Sequence, residues 1–259
     1  MWMEIKSLWN FRYFVYLLTT RNIKLKYEQS VLGLMWTLIN PIAILLILLT
    51  VFTNIVRIGV PGFWAFLLSG YFVYHFVSQA VMANTAIFTQ FAVMIQGVAV
   101  PRSAPIVAAI MAKLAEFCIE FSLALFLIAV FWHGQVPMSF VLIPVLLTLM
   151  IVLVLGLSLA LATLSVFYTD VKHMLPIALT ALFYISPVVY PIALVPEEYR
   201  TLYLLNPLAA LLDLFHTAIY LGQWPGGAAI ASCSLEVVLI FVLGMLVFGR
   251  YESEFAEAV

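Results

Sequence analysis

The stretch "VLGLMWTLINPIAILLILLTVFTNIV", residues 31–56, contains no Asp, Glu, Lys or Arg. Wound as an α-helix it would extend about 39 Å at 1.5 Å per residue, longer than the roughly 30 Å hydrocarbon core of a bilayer. Length and composition together predict a membrane-spanning helix that is tilted or ends among the headgroups. The rest of the chain shares this character. Of its 259 residues 66% are hydrophobic and 9% are charged, against roughly 25% charged in soluble domains. An all-α, multi-pass integral membrane protein is the expected fold class. The net charge of -1 gives no indication of a nucleic-acid partner. Cys118 and Cys233 lie in apolar segments, where cysteine behaves as a small buried hydrophobe, and they suggest neither a disulfide framework nor a metal site. A cleaved signal peptide is not expected. The first long apolar run starts at residue 31, outlasts a signal core and lacks a small-residue cleavage site.

Six spans are expected near 31–56, 63–86, 104–131, 139–167, 174–191 and 229–249. Residues 58–101 also lack Asp, Glu, Lys and Arg, so polar side chains set the boundary there. Asn84, Thr85, Thr89, Gln90 and Gln96-Gly97 make 84–100 a poor lipid-facing helix, and a short amphipathic segment on the cytoplasmic side is expected instead. Gly134 and Pro137 signal a tight turn between the third and fourth spans. Ahead of the first span, Trp2, Ile5, Leu8, Trp9 and Tyr13 recur at helical steps within residues 1–20, the pattern of a helix lying in the membrane interface. The domain plan is therefore an interface helix with a basic elbow at 1–30 and a six-span domain at 31–259.

Orientation follows from Lys and Arg in the short loops. With the N-terminus inside, Lys6, Arg12, Arg21, Lys24, Lys26, Arg102, Lys172 and Arg250 face the cytoplasm. Arg57 and Arg200 face out, and Lys113 lies within the third span. Both termini are then cytoplasmic, and the basic cluster before the first span holds the N-terminus there against anionic lipid and the membrane potential. Residues 192–228 are apolar yet interrupted by Pro196, Glu197, Glu198, Arg200, Asn206-Pro207, Asp213 and Pro225-Gly226-Gly227. Each apolar piece is too short to span. Two short helices re-entering from the outer face and broken at Asn206-Pro207 are expected, because irregular backbone at membrane depth must be shielded by protein.

No catalytic set emerges. His75, His133, His173 and His216 lie on different segments without metal-ligand spacing, and no phosphate-binding GxxxxGK[ST] loop is present. Any energy from nucleotide hydrolysis would have to come from another chain. Lys113, Glu116 and Glu120 stand at i, i+3 and i+7 on one helical face within a span, where charges normally face the bundle interior and pair. They read either as a polar stripe on a translocation path or subunit interface, or as Lys113 neutralised by Glu116 near the headgroups. Tyr71, Tyr74, Tyr184 and Tyr190 belong to an interfacial aromatic belt or line a channel in which flat rings stack on sugars.

Five motifs then occur in order. They are basic residues with Tyr27 followed by Ser30-x-Leu32-Gly33-x-x-Trp36 and Pro41; Val100-Pro101-Arg102 with Pro105; Phe167-Tyr168-x-Asp170-Val171; Ser186-Pro187-x-x-Tyr190-Pro191; and Leu205-Asn206-Pro207-Leu208. From about residue 21 to 227 they resemble the permeases of type-2 ATP-binding-cassette exporters, in particular those exporting O-antigen, capsular polysaccharide or teichoic acid. Ala99-Val100 stands where relatives commonly carry an aromatic, Thr169 where a basic residue often precedes the Asp, and His216 where an arginine is often seen.

The resemblance implies a homodimer with two copies of a separate ATPase subunit, which carries the ATP and Mg; this chain would bind no cofactor or metal. The cargo would be a polysaccharide on a lipid such as undecaprenyl diphosphate, and the site a bacterial cytoplasmic membrane. Gln90, Gln96, Gly97, Pro101, Arg102 and Asp170 would couple to the ATPase. Arg21, Lys24, Lys26, Tyr27, Gly33 and Trp36 would form the elbow, its basic members also attracting a lipid diphosphate. Gly33 would let the first span meet the interface helix closely. Asn206, Pro207 and His216 would belong to the gate. The rival expectations are a type-2 permease for drugs or small lipids and a lipid-linked transferase working through Asp170, Lys172 and His173.

Overall fold

The computed structural model describes residues 9–28, 30, 32–33, 35–91 and 100–255. The expectations for residues 1–8, Gln96 and Gly97 lie outside these. Every regular element among the described residues is helical. Five helices are long and apolar enough to cross a membrane: Met35–Val56, Phe63–Asn84, Ala104–His133, Met138–Phe167 and Gly227–Tyr251. The pair Glu197–Leu204 and Pro207–Tyr220 makes a sixth if it counts as one broken span.

The elements are α1 (Arg12–Tyr27); α2 (Met35–Thr50), prolonged by wider π turns over Val51–Val56; and α3 (Phe63–Asn84). The short α4 (Ile87–Gln90) follows, then α5 (Ala104–Leu127), with π turns over Ile128–His133. A 3-10 turn, Met138–Leu142, leads into α6 (Ile143–Phe167). The last four are α7 (Asp170–Ile185), α8 (Glu197–Leu204), α9 (Pro207–Phe215), with π turns over His216–Tyr220, and α10 (Gly227–Tyr251).

Two boundaries differ from expectation, each for a local reason. The segment expected to span over 174–191 is the 16-residue α7, about 24 Å long. It stops at Ile185 because Ser186, preceding a proline, takes extended backbone with ψ 153°. The N-terminal helix instead runs on to Tyr27, so Arg21, Lys24 and Lys26 sit on helix α1 rather than in an elbow after it. Gly33 has φ +48° and nothing within 4 Å of where a Cβ would stand. It is required by a left-handed backbone turn, not by a close helix approach as the sequence suggested.

The core is built around α3. Of its most apolar window 78% is buried, against 11% for α2 and 17% for α10. Phe66, Phe72 and Phe76 of α3 are buried; Phe76 packs on Phe117 of α5 with ring centres 5.1 Å apart, and α5 and α6 are the main neighbours of α3. The tightest seam joins α6 to α10. A Cβ on Gly244 would lie 2.1 Å from the Gly156 carbonyl oxygen, and one on Gly156 would lie 2.6 Å from Phe241 Cα. The two backbones touch, as small residues permit in membrane helix pairs. Helix α1 lies along α5, burying Leu18 with Phe14 and Val15 beside it, while Trp9, Tyr13 and Tyr16 stay exposed.

Candidate functional site

The broken pair α8–α9 bends by 105°. Asn206 makes the break. Its side-chain oxygen accepts from Leu208 N at 3.1 Å, capping α9, and its amide donates to Ser186 Oγ at 3.1 Å. Pro207 at the first helical position loses no hydrogen bond there. The wider turns that end the second arm, His216–Tyr220, are held by side chains and a carbonyl from other segments.

His216 is 5% exposed. Its Nε2 lies 2.8 Å from the Pro187 carbonyl, which can only accept, so that nitrogen carries the proton. Its Nδ1 meets Ser69 Oγ of α3 at 2.8 Å. The ring stacks on Phe66 at 4.0 Å and fills the space over Gly70, where a Cβ would fall 2.5 Å from Cε1. His216 therefore clamps α3, the 186–188 turn and α9 together. No spacing in the sequence announces this.

A second arrangement was also silent in the sequence. A helix ends with unsatisfied carbonyls, and the wide turns over 216–220 leave three at their end. Ser139 Oγ donates to Ala218 O at 2.6 Å, His133 Nε2 lies 2.8 Å from Ile219 O, and Trp132 Nε1 donates to Tyr220 O at 2.9 Å. The segment expected as a mere tight turn does turn at Gly134, φ +69°. It is also the cap of α9.

The charged stripe splits into a trio and a pair. Glu116 receives Lys26 of α1 on both carboxylate oxygens at 2.9 Å and Lys113 at 3.1 Å. Glu120, 2% exposed, lies 3.3 Å from His75 Nδ1 of α3, whose ring stacks on Tyr71. The expectation that these charges pair within the bundle holds. The partners Lys26 and His75, on other helices, were not foreseeable from i, i+3 spacing.

A groove of about 500 Å³ opens between α2, α3 and α7, lined by Tyr74, Ser78, Gln79, Thr180, Phe183 and Tyr184 among others. Of the four tyrosines singled out, Tyr74 and Tyr184 line this groove. Tyr74 donates to Leu179 O at 2.5 Å. Tyr71 is buried against His75. Tyr190 donates to Tyr184 O at 2.7 Å and meets the Tyr203 hydroxyl.

At the α1 end of the bundle, the described part of the expected coupling segment is α4 and its flanks. Ser165 Oγ donates to Thr85 O at 2.5 Å, Lys172 Nζ donates to Thr89 Oγ1 at 3.1 Å, and the Arg21 guanidinium lies over Phe91 at 5.5 Å. Gln90 and Asp170 are exposed, and Arg102 is half-buried. Pro101 O accepts from Ala104 N at 3.0 Å, opening the first turn before α5. Arg21 and Lys24 are exposed, and Trp36 is 48% exposed at the start of α2. Among the described residues no group of three or more His, Cys, Asp or Glu could hold a metal ion.

Comparison with known proteins accounts for this architecture. The chain is 28% identical to an O-antigen export system permease protein, RfbA, of Myxococcus xanthus over 258 residues, covering 98% of each chain. It is 25% identical to the protein of the same name from Klebsiella pneumoniae over 265 residues, covering 98% of this chain and 99% of that one. It is also 25% identical to the polysialic acid transport protein KpsM of Escherichia coli over 246 residues, 90% of this chain and 91% of that one. The family model described as ABC-2 type transporter matches residues 13–220, from helix α1 through the far end of α9, and the chain belongs to that family of multi-pass membrane proteins.

Proposed function

We propose that this chain is the membrane-spanning subunit of an ATP-driven exporter that moves a lipid-linked, O-antigen-like polysaccharide across the bacterial cytoplasmic membrane. The observation that carries the reading is end-to-end similarity, 98% of both chains, to an O-antigen export permease. Two copies of the chain would form the path, and two copies of a separate ATPase would supply hydrolysis, with ATP and Mg held there. Helices α2 and α7 bury few of their residues, Thr37, Pro41 and Leu45 in the one and Leu175 and Leu179 in the other, and flank the groove carrying Tyr74 and Tyr184. This suits a path completed by a second copy, with flat rings facing sugar and amides bonding hydroxyls.

Both termini lie in the cytoplasm in this reading, which the Lys and Arg distribution supports. The bent pair α8–α9 is a re-entrant gate at the outer face, a reading supported by its 105° bend. The α1 end carries the ATPase-facing surface, 84–102 with Asp170. Its basic members Arg21, Lys24 and Lys26 stand where an inner-leaflet diphosphate would arrive.

The test is a coupling variant. Pro101→Ala with Arg102→Ala is expected to lower polymer export roughly tenfold, the scale of a typical coupling free energy, while membrane insertion and ATPase binding persist. Export by the double variant at the wild-type rate would remove the coupling assignment. Purification of the bare chain in a form that processes lipid-linked sugar unaided would replace the transporter reading with that of a transferase.

A further inference from the structure

We propose that Phe255 is a positioning residue for ATPase coupling: its ring, seated behind Phe88, ties the coupling segment to the α6–α10 pair. The proposal rests on the reading of 84–102 as the surface on which the ATPase acts. Phe255 follows α10 by one 3-10 turn, Glu252–Glu254, and turns back into the protein, where it is 0% exposed. Its ring centre is 4.5 Å from that of Phe88 in α4, 5.7 Å from Phe248 in α10 and 6.3 Å from Phe167 in α6. Phe88 is itself 1% exposed and Phe248 0%.

Helix α4 has four residues. A single turn cannot hold its own shape, because nucleating a helix costs more than one turn returns. It must be held from outside. The bond from Lys172 to Thr89 and the contact of Arg21 with Phe91 each have one exposed partner, Thr89 and Arg21, and such contacts are weak in water, while Ile87 and Phe91 add buried apolar surface beside Phe88. Ser165 grips only the backbone before the turn. The contact of Phe88 with Phe255 is apolar and fully buried, and packed interiors transmit displacement because they scarcely compress. A push on α4 reaches Phe248 directly, at 6.4 Å from Phe88, and more closely through Phe255, which also carries it to Phe167; both lie on helices already locked at Gly156 and Gly244. It moves a stiff pair rather than a loose loop.

The test uses the full transporter with its ATPase in proteoliposomes, reading polymer exported per ATP hydrolysed. The ratio should fall roughly tenfold in Phe255→Ala, with assembled complex and basal hydrolysis retained. Phe255→Leu, which refills part of the volume, should lie between the two. A purely structural role would lower complex, hydrolysis and export together and leave the ratio alone. If the alanine variant does not accumulate, the leucine variant is read by the same ratio. A wild-type ratio in the variant read overturns the proposal. Pro101→Ala with Arg102→Ala runs alongside. If that pair lowers the ratio and the Phe255 variants do not, only the wedge is wrong. If that pair leaves the ratio intact, the coupling assignment fails and the proposal falls with it.

Discussion

Replacing Gly244 by valine is expected to deplete the folded protein, with a loss above about 3 kcal/mol, beyond the usual range for overpacking. Ordinary overpacking is relieved when a flexible side chain swings away. Here the obstacle is main chain, since a Cβ at 244 would meet the Gly156 oxygen at 2.1 Å and its carbonyl carbon at 2.8 Å. The helices must part, and parting them strips contact from Leu153, Val237 and Phe248 along the same seam, all of them buried. Thermal unfolding of the detergent-solubilised protein measures the effect. Gly249→Ala on the same helix, with nothing within 4 Å, should be near neutral or slightly stabilising, as alanine outranks glycine in helices. A Gly244→Val protein that melts with the wild type would mean that the seam is not where the structure puts it.

The second large effect is expected at Glu116. Its carboxylate meets two lysines, Lys26 at 44% and Lys113 at 18% side-chain exposure. Glu116→Ala leaves Lys113 in a mostly apolar span without that carboxylate. Breaking a buried pair by removing one partner typically costs 3–5 kcal/mol, and the exposure of Lys26 argues for the lower end, about 3 kcal/mol. The same change removes the charged tie between α1 and α5. Because the cost arises from the cation left behind, Lys113→Met combined with Glu116→Leu should recover most of the loss in the same melting assay. A double variant no better than Glu116→Ala would show that the attraction between these groups, rather than the stranded charge, sets the energy.

These pairs illustrate what could be read in advance. Residues 31–56 announced a span because composition alone decides what can sit in hydrocarbon. Asn206-Pro207 announced a break because proline and a capping side chain act on their own neighbours in sequence. Lys113 and Glu116 lie three residues apart, so their pairing was legible too. Lys26 and His75 reach the stripe across 90 and 45 residues, and nothing local encodes such a meeting. The same holds for His216, whose partners Ser69 and Pro187 lie 147 and 29 residues away. Helix α7 was misjudged at its end because Ser186-Pro187 was read as part of the span, when a residue before proline is driven out of the helical region.

The three donors that close α9, at Trp132, His133 and Ser139, precede their acceptors by 79 to 88 residues. Translation delivers them first. Residues 132–139 therefore leave the ribosome before residues 207–220, and their donors have no acceptor in this cap until the later carbonyls arrive. A chain halted near residue 205 would thus hold three donors whose acceptors have not yet been made.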